Sequence, residues 1–385
     1  MKNSPFRGAS TGIVTSQAGN LNSCDGLCWC SLDAMHIEEN KPLAPLTTFG
    51  IGGPARWFVE AASEDEIVEA TAWARERGVA LFVLGGGSNL LVADGGFDGL
   101  VLRVALKGIE AYADGPPGDA FGEWVYRVAA GEEWEHCVRR TTQDNCAGLE
   151  CLAGIPGTVG GTPVQNVGAY GQEVASAIER VRVFDVEQRE FQELAAAECG
   201  FGYRRSRFNT SDRGLYIVTR VDYRLALGGM ATLGYADLQR YFEASGQEPS
   251  VAEVAAVVRR IRQAKGMVLV EGDVDCRSAG SFFKNPVVSE ALAARIAAAD
   301  GKEAPRYPAG PGVVKLSAAW LIEQAGFAKG YALGNAGVSS RHTLALVNRG
   351  GARADEILAL ARRIRAGVEE RFGVGLEMEP VMVGF

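Results

Sequence analysis

Two successive α/β domains are what the sequence predicts, and three observations carry that expectation. From about Arg56, apolar strand-like runs alternate with helices whose caps can be read directly. Beyond an amphipathic segment near residues 251–265, helices and short strands alternate a second time. The segment Leu376–Val383 has strand character and ends the chain, so it is expected to return to an earlier sheet.

Residues 1–34 are rich in Ser, Gly and Asn, lack periodicity and carry no acidic residue before Asp25, which reads as a disordered extension with Met35 as an alternative start. Only Lys2 and Arg7 precede that aspartate, too few basic groups for a targeting peptide. Trp57-Phe58-Val59 then reads as a strand. Ser63 and Glu66 form a capping box for a helix that places Ile67, Ala70 and Ala74 on one face, and Gly78 stops it. Val79–Leu84 reads as a buried strand and Gly99–Val104 as another, completing a βαβ-like unit.

Trp124–Ala130 is expected as a strand, Glu133–Thr142 as a helix, Arg180–Leu194 as a hairpin around Glu187 and Gln188, and Tyr216–Leu227 as a further strand. Val251–Lys265 reads as a helix with Ala252, Ala255, Val258 and Ile261 on one face, bridging into the next domain. There, Glu290–Ala299, Ala318–Ala325 and Asp355–Phe372 are expected helices, with short strands near Val313 and Leu344.

The 385 residues are 47% hydrophobic and 22% charged, an ordinary globular balance that excludes a largely disordered chain. A net charge of -8 argues against broad binding to nucleic acid or to anionic membrane, so any anionic ligand must be held by local groups. No apolar run approaches the roughly 18 residues of a membrane span, and the expectation is a cytoplasmic protein with no membrane partner. Eight cysteines without the density of a disulfide scaffold suggest reduced thiols. Cys24, Cys28 and Cys30 with His36 do not follow a standard zinc spacing, and three histidines rule out a polyhistidine metal centre. No metal is expected, and acid–base work falls to other residues.

Three glycine-rich stretches are candidates for ligand binding. Gly85-Gly86-Gly87-Ser88-Asn89 follows an apolar strand, and bare glycines there would let backbone N–H groups approach a pyrophosphate. An ordinary strand-to-strand turn explains the same residues equally well. It is neither a Walker loop nor a dinucleotide fingerprint, since Leu90 stands where the third glycine would be. Gly50-Ile51-Gly52-Gly53-Pro54-Ala55 matches that fingerprint formally, but a strand follows it and not a helix. The third stretch, Gly148 to Gly171, is long for a structureless segment, as ordered functional loops are.

Taken together, these stretches and several later motifs resemble the UDP-N-acetylenolpyruvoylglucosamine reductase (UDP-N-acetylmuramate dehydrogenase) family. The matching residues are Thr47 to Gly53, Gly85 to Asn89 and Ile155 to Tyr170. They continue in order through Tyr203-Arg204-Arg205-Ser206, Gly280 to Pro286, Ala319-Trp320-Leu321-Ile322, Ala336 to Ser339 and Leu346-Val347-Asn348. The resemblance covers about residues 36–385. It implies an FAD-binding domain of the vanillyl-alcohol-oxidase type over 35–265, made of subdomains at about 35–105 and 106–265, with 374–385 returning to it. A C-terminal α/β substrate-binding domain would occupy 266–373. It also implies non-covalent FAD, NADPH, the substrate UDP-N-acetylglucosamine enolpyruvate, and a monomer.

By the same resemblance, FAD would contact Thr48, Gly52, Gly53, Gly85, Gly86, Gly87, Ser88, Asn89, Ile155, Pro156, Gly157, Gly160, Asn166, Gly168 and Tyr170. Tyr235, Lys284 and Asn285 would contact substrate. Adding hydride to the enolpyruvyl double bond builds negative charge on the conjugated carboxylate and calls for a proton at the neighbouring carbon. Arg204 matches the family arginine at the carboxylate, although alone it reads as one of a solvated basic group. Ser281 matches the proton donor, needing a cation such as Lys284 to stabilise its alkoxide, and alone it reads as a turn serine. Glu379 matches a polarising glutamate, with Glu377 on the same strand face as the fallback, since Pro380 departs from the usual Glu-Val-Arg. Tyr235 fits the subclass whose tyrosine closes over the sugar nucleotide, and Asn209 replaces a frequent lysine.

Two other readings use the same residues. A sugar or lactone oxidase of this fold often tethers flavin through histidine, and no histidine lies in the glycine-rich stretches. A non-catalytic nucleotide-sugar module would have no use for Arg204, Ser281 and Glu379 together.

Overall fold

The computed structural model describes residues 35–114, 122–243, 246 and 248–385. The expected extension at 1–34, with Cys24, Cys28 and Cys30, lies outside them.

The capping box forms as read: Ser63 Oγ accepts from Glu66 N at 3.2 Å and Glu66 Oε2 accepts from Ser63 N at 3.1 Å. The helix Glu64–Glu76 buries Ile67, Ala70 and Ala74, and Gly78 leaves it at φ +63, where a side chain would be strained. It connects the strands Pro54–Ala61 and Ala80–Leu84, but the strand Phe97–Val104 lies between them, parallel to both. Glu38–Pro42 closes the other edge antiparallel. Ala80–Leu84 is less buried than its apolar run suggests, with Leu84 alone fully covered. It is an edge strand, and Leu81, Phe82 and Val83 face a cavity.

A larger sheet follows in the order Glu190–Ala195, Ile178–Asp185, Tyr216–Leu227, Glu123–Ala129, Ile109–Asp114, antiparallel throughout. Its hairpin turns at Glu187 and Gln188 because Asp185 Oδ1 accepts both of their N–H groups, at 2.9 and 2.8 Å. Glu64 of the first helix receives a two-pronged bond from Arg182 of this sheet, at 2.8 and 2.9 Å, and so ties the two layers together. The helix Val251–Ala264 turns Val251, Val254, Ala255, Val257 and Val258 inward. Ala252 is exposed, so the buried face is rotated from the one expected. The helix packs on Trp134–Gln143 and the turn Glu150–Leu152.

In the last third, helices Glu290–Asp300, Ala318–Gln324 and Ala354–Phe372 accompany two small antiparallel sheets. The core there includes Phe282, Phe283, Leu321, Ile357 and Ile364, and it continues into Phe49, Ile51 and Leu91. Burying each such side chain stabilises by about 1.5–3 kcal/mol. The chain end does return: Val381–Val383 pairs in parallel with Leu90–Val92, directly after the first glycine turn. The ladder is shorter than Leu376–Val383 because the preceding residues bond elsewhere. Glu377 O accepts from Lys284 N at 3.0 Å, and Glu379 N donates to Phe282 O at 2.9 Å.

Candidate active site

Residues from three separate stretches converge because the chain end runs between them. Val381 N donates to Asn89 O at 2.9 Å on one side, while Met378 bridges to Phe283 on the other. Between lies a cavity of ≈ 930 Å³ whose walls include Gly85 to Leu90, Ile155 to Thr158, Gly160, Gly168, Arg204, Ser278 to Ser281 and Glu379.

The glycines of this turn also settle how the two loops meet. A Cβ on Gly86 would stand 2.5 Å from Gly157 Cα and 2.9 Å from Thr158 N, so bare glycine lets the two loops abut each other. One on Gly87 would strike the Leu46 carbonyl. The result is a wall in which the N–H groups of Gly86, Gly87, Ser88 and Asn89 donate to no acceptor among the described residues. A run of free donors lining a cavity is what an anionic pyrophosphate requires, so these residues fit FAD. Gly52 and Gly53 do not line the cavity. Their missing side chains make room for Val92 and for the Asp94–Gly96 backbone, which keeps the return strand in place.

Arg204 is held by a tight turn in which Gly202 and Arg205 exchange backbone bonds of 3.0 and 3.1 Å. It adopts φ +54, an uncommon conformation for a non-glycine residue. Asn209 fastens the turn, accepting from Ser206 N at 2.9 Å and donating to Arg204 O at 3.3 Å. The guanidinium donates to Gly168 O at 2.5 Å, and a Cβ on Gly168 would lie 2.9 Å from Arg204 Nη1, so glycine there leaves space for the fork. Arg204 Nε then faces Glu379 Oε1 at 3.2 Å. Burial raises the Glu379 carboxyl above its ordinary pKa, and the charges of Arg204 and Lys284 only partly oppose this.

Ser281 lines the same cavity, set by Gly280 at φ +74 and by the bond from Phe282 N to Leu344 O at 2.7 Å. Lys284 is not a free cation for its alkoxide, because Nζ pairs with Glu377 Oε1 at 2.5 Å. Glu377 is 71% exposed and absent from the cavity wall, whereas the Glu379 side chain is 12% exposed and within it. The geometry therefore favours Glu379 over the fallback. Asn285 caps the helix Ala318–Gln324, with Oδ1 accepting from Ala318 N at 2.9 Å.

Other residues expected at the ligands also brace the walls. Thr48 donates to Ser278 O at 2.5 Å and its N–H to Gly87 O at 3.1 Å, joining the glycine turn to the serine segment. Asn166 is buried, bonding Glu173 and the Gly202 carbonyl. Tyr170 and Tyr235 meet edge to face at 5.4 Å outside the cavity wall, and burial pushes the Tyr170 phenol up to about 12.

Sequence reading missed three features. Gln165 receives a hydrogen bond from Asn89 and joins the first and third glycine stretches. Lys315 sits 3.9 Å from the Tyr203 ring, beside Arg204. Arg262, buried, lies in the cavity wall. No histidine lines the cavity, and burial holds His342 at about 4 and so neutral. Among the described residues no group of side chains could hold a metal, and no helix is long and apolar enough to cross a membrane.

Residues 55–189 match the model of an FAD binding domain. With the donor-lined cavity and the Arg204–Glu379 pair, this defines the chain as an FAD-dependent oxidoreductase. Residues 272–383 match the C-terminal domain of UDP-N-acetylenolpyruvoylglucosamine reductase. The chain is 46% identical over 364 residues to that reductase from Streptomyces coelicolor, covering 92% of each chain. It is 46% identical over 358 residues to the one from Thermobifida fusca, covering 90% of this chain and 98% of the relative. The crystal structure of the reductase from Thermus caldophilus superposes with a TM-score of 0.61 at 30% identity, covering 91% of this chain and 99% of that one. The chain belongs to the UDP-N-acetylenolpyruvoylglucosamine reductase family.

Proposed function

We propose that this protein reduces the enolpyruvyl ether of UDP-N-acetylglucosamine enolpyruvate to the lactyl ether of UDP-N-acetylmuramate, with NADPH as electron donor, in the making of peptidoglycan precursor. The observation that carries the reading is the half-buried Arg204–Glu379 pair, which lines one cavity together with Ser281 and the glycine turn whose N–H groups are free. When bound, FAD takes hydride from NADPH and supplies it to the substrate.

Arg204 meets the substrate carboxylate and steadies the charge that develops on it. Glu379, protonated more readily than an ordinary glutamate, adds a hydrogen bond at the same place. Ser281 delivers the proton to the carbon next to the ether oxygen, so that one hydride and one proton saturate the double bond. Tyr235, whose ring meets that of Tyr170 edge to face, closes over the sugar nucleotide. A cytoplasmic location agrees with free thiols at Cys137, Cys146, Cys151, Cys199 and Cys276. The absence of histidine from the cavity wall supports FAD held without a covalent bond.

NADPH consumption by the purified flavoprotein, followed with and without the enolpyruvyl sugar nucleotide, tests this. Oxidation that depends on that substrate is expected. Oxidation indifferent to it, or flavin retained after denaturation, would support an oxidase instead.

A further inference from the structure

Arg341 stands in the connection between the strands Ala336–Val338 and Leu346–Asn348 and divides its guanidinium among three stretches of chain. Nε donates to Asp275 Oδ2 at 3.1 Å, Nη2 donates to Asp273 Oδ2, and Nη1 donates at 3.3 Å to Gln263 O, near the end of the helix Val251–Ala264. Ser340 beside it donates twice to Asp275, from N to Oδ1 at 2.8 Å and from Oγ to Oδ2 at 2.5 Å. Burial alone would raise the Asp275 carboxyl, yet these hydrogen bonds hold it below its ordinary pKa, so the pair stays charged.

Asp275 lies six residues before Ser281. Downstream of it, Arg277 O accepts from Asn348 N at 3.0 Å and Gly280 N donates to Ser278 Oγ at 3.2 Å, so the chain enters the cavity wall on a fixed course. Upstream there is no comparable hold. Leu269 to Gly272 are exposed, and Gly272 turns at φ +80 with open space around it. From Val268 to Val274 the hydrogen bonds among the described residues reach no farther than Cys276, apart from those of Asp273 to Arg341. A proton donor must sit within hydrogen-bond reach of the group it serves, and a displacement of about 1 Å can cost about 10²-fold in rate.

We infer that Arg341 is a positioning residue for Ser281: by tying Asp275 and Asp273 to the turn that carries it, it fixes where the Ser281 hydroxyl stands against the substrate. The inference rests on the role given to Ser281 in the functional reading. Arg341 does not line the cavity, so its loss removes no ligand contact. Its guanidinium keeps its protons throughout and acts through geometry alone.

The test compares the two half-reactions of the holoenzyme by rapid-mixing absorbance. In Arg341→Met, reduction of FAD by NADPH should keep the parent rate. Reoxidation by saturating UDP-N-acetylglucosamine enolpyruvate should slow about ten- to a hundredfold, with the half-saturating concentration little changed. Arg341→Lys, which keeps the charge but lacks the fork that reaches both aspartates, should recover part of the rate. Coupling is the signature that a packing role would not produce. In a Ser281→Ala background, Arg341→Met should slow reoxidation by about twofold or less, because the group it positions is already gone. If Arg341→Met yields too little flavoprotein, Asp273→Asn, which weakens one of the three contacts, should show the same pattern with a smaller loss. Equal slowing of both half-reactions, a loss confined to substrate affinity, an unchanged reoxidation rate, or losses that multiply with Ser281→Ala would each overturn the proposal. Parent protein whose flavin the sugar nucleotide fails to reoxidise would overturn the functional reading, and this inference with it.

Discussion

Arg204 and Glu379, 175 positions apart in the chain, face each other at 3.2 Å because the chain end is threaded between the glycine turn and the Ser281 segment. The arrangement predicts a specific pH dependence. The Glu379 pKa is raised in the folded protein, so its proton is kept to higher pH than in the unfolded chain. Stability linked to that proton, and any rate that uses it, is lost as pH rises through the folded pKa. Glu379→Gln should slow substrate-driven reoxidation of the flavin by about 10²- to 10³-fold and remove that alkaline limb from its pH profile. Rapid-mixing absorbance over a pH series checks both.

Ser281→Ala should leave reduction of FAD by NADPH intact and slow reoxidation by the sugar nucleotide by about 10²- to 10⁴-fold, as expected for loss of a general acid. Ser281→Cys should recover part of the rate, since a thiol donates from nearly the same place. A defect in the NADPH half-reaction instead would make Ser281 a turn residue.

Gly86→Val should abolish flavin retention. Its Cβ would meet backbone, Gly157 Cα at 2.5 Å, which cannot swing away as a side chain could. The ratio of flavin to protein absorbance after purification measures this, and normal occupancy would show that the two loops can part without harm.

Much of this architecture was legible because it is written in local chemistry. Ser63 and Glu66 are three residues apart and cap one helix whatever surrounds them, and Asp185 turns its hairpin through neighbours two and three positions on. Gly85 to Asn89 announced a special backbone, and family resemblance supplied the ligand and drew Arg204, Ser281 and Glu379 together. What stayed hidden depends on distant packing. Ala80–Leu84 looked wholly buried because an apolar run cannot reveal that one side faces a ligand cavity. Lys284 looked available to Ser281 because its partner, Glu377, comes 93 positions later. Arg262 looked like one more arginine in a helix that also carries Arg259 and Arg260, and only the fold shows which of the three is enclosed.

The Glu64–Arg182 contact predicts an acid-sensitive junction between the first helix and the large sheet. Hydrogen bonding from Arg182 holds the Glu64 pKa below its ordinary value of 4.5. Its stabilisation is therefore present above about that pH and lost as pH falls through the lowered folded value. Glu64→Gln should destabilise by about 0.2–1 kcal/mol at neutral pH, with the difference from the parent protein shrinking on acidification. Urea unfolding at several pH values reads the effect, and a gap that widened in acid would contradict it.

The central claim is that one hydride from FAD and one proton from Ser281 saturate an enolpyruvyl double bond whose carboxylate Arg204 holds. Its most direct measurement is a single anaerobic turnover in deuterated water, with flavin reduced beforehand and UDP-N-acetylglucosamine enolpyruvate as sole oxidant. The account predicts one equivalent of UDP-N-acetylmuramate per flavin, with solvent deuterium at the carbon beside the ether oxygen. Flavin that stays reduced until oxygen is admitted, with the sugar nucleotide recovered unchanged, would contradict it.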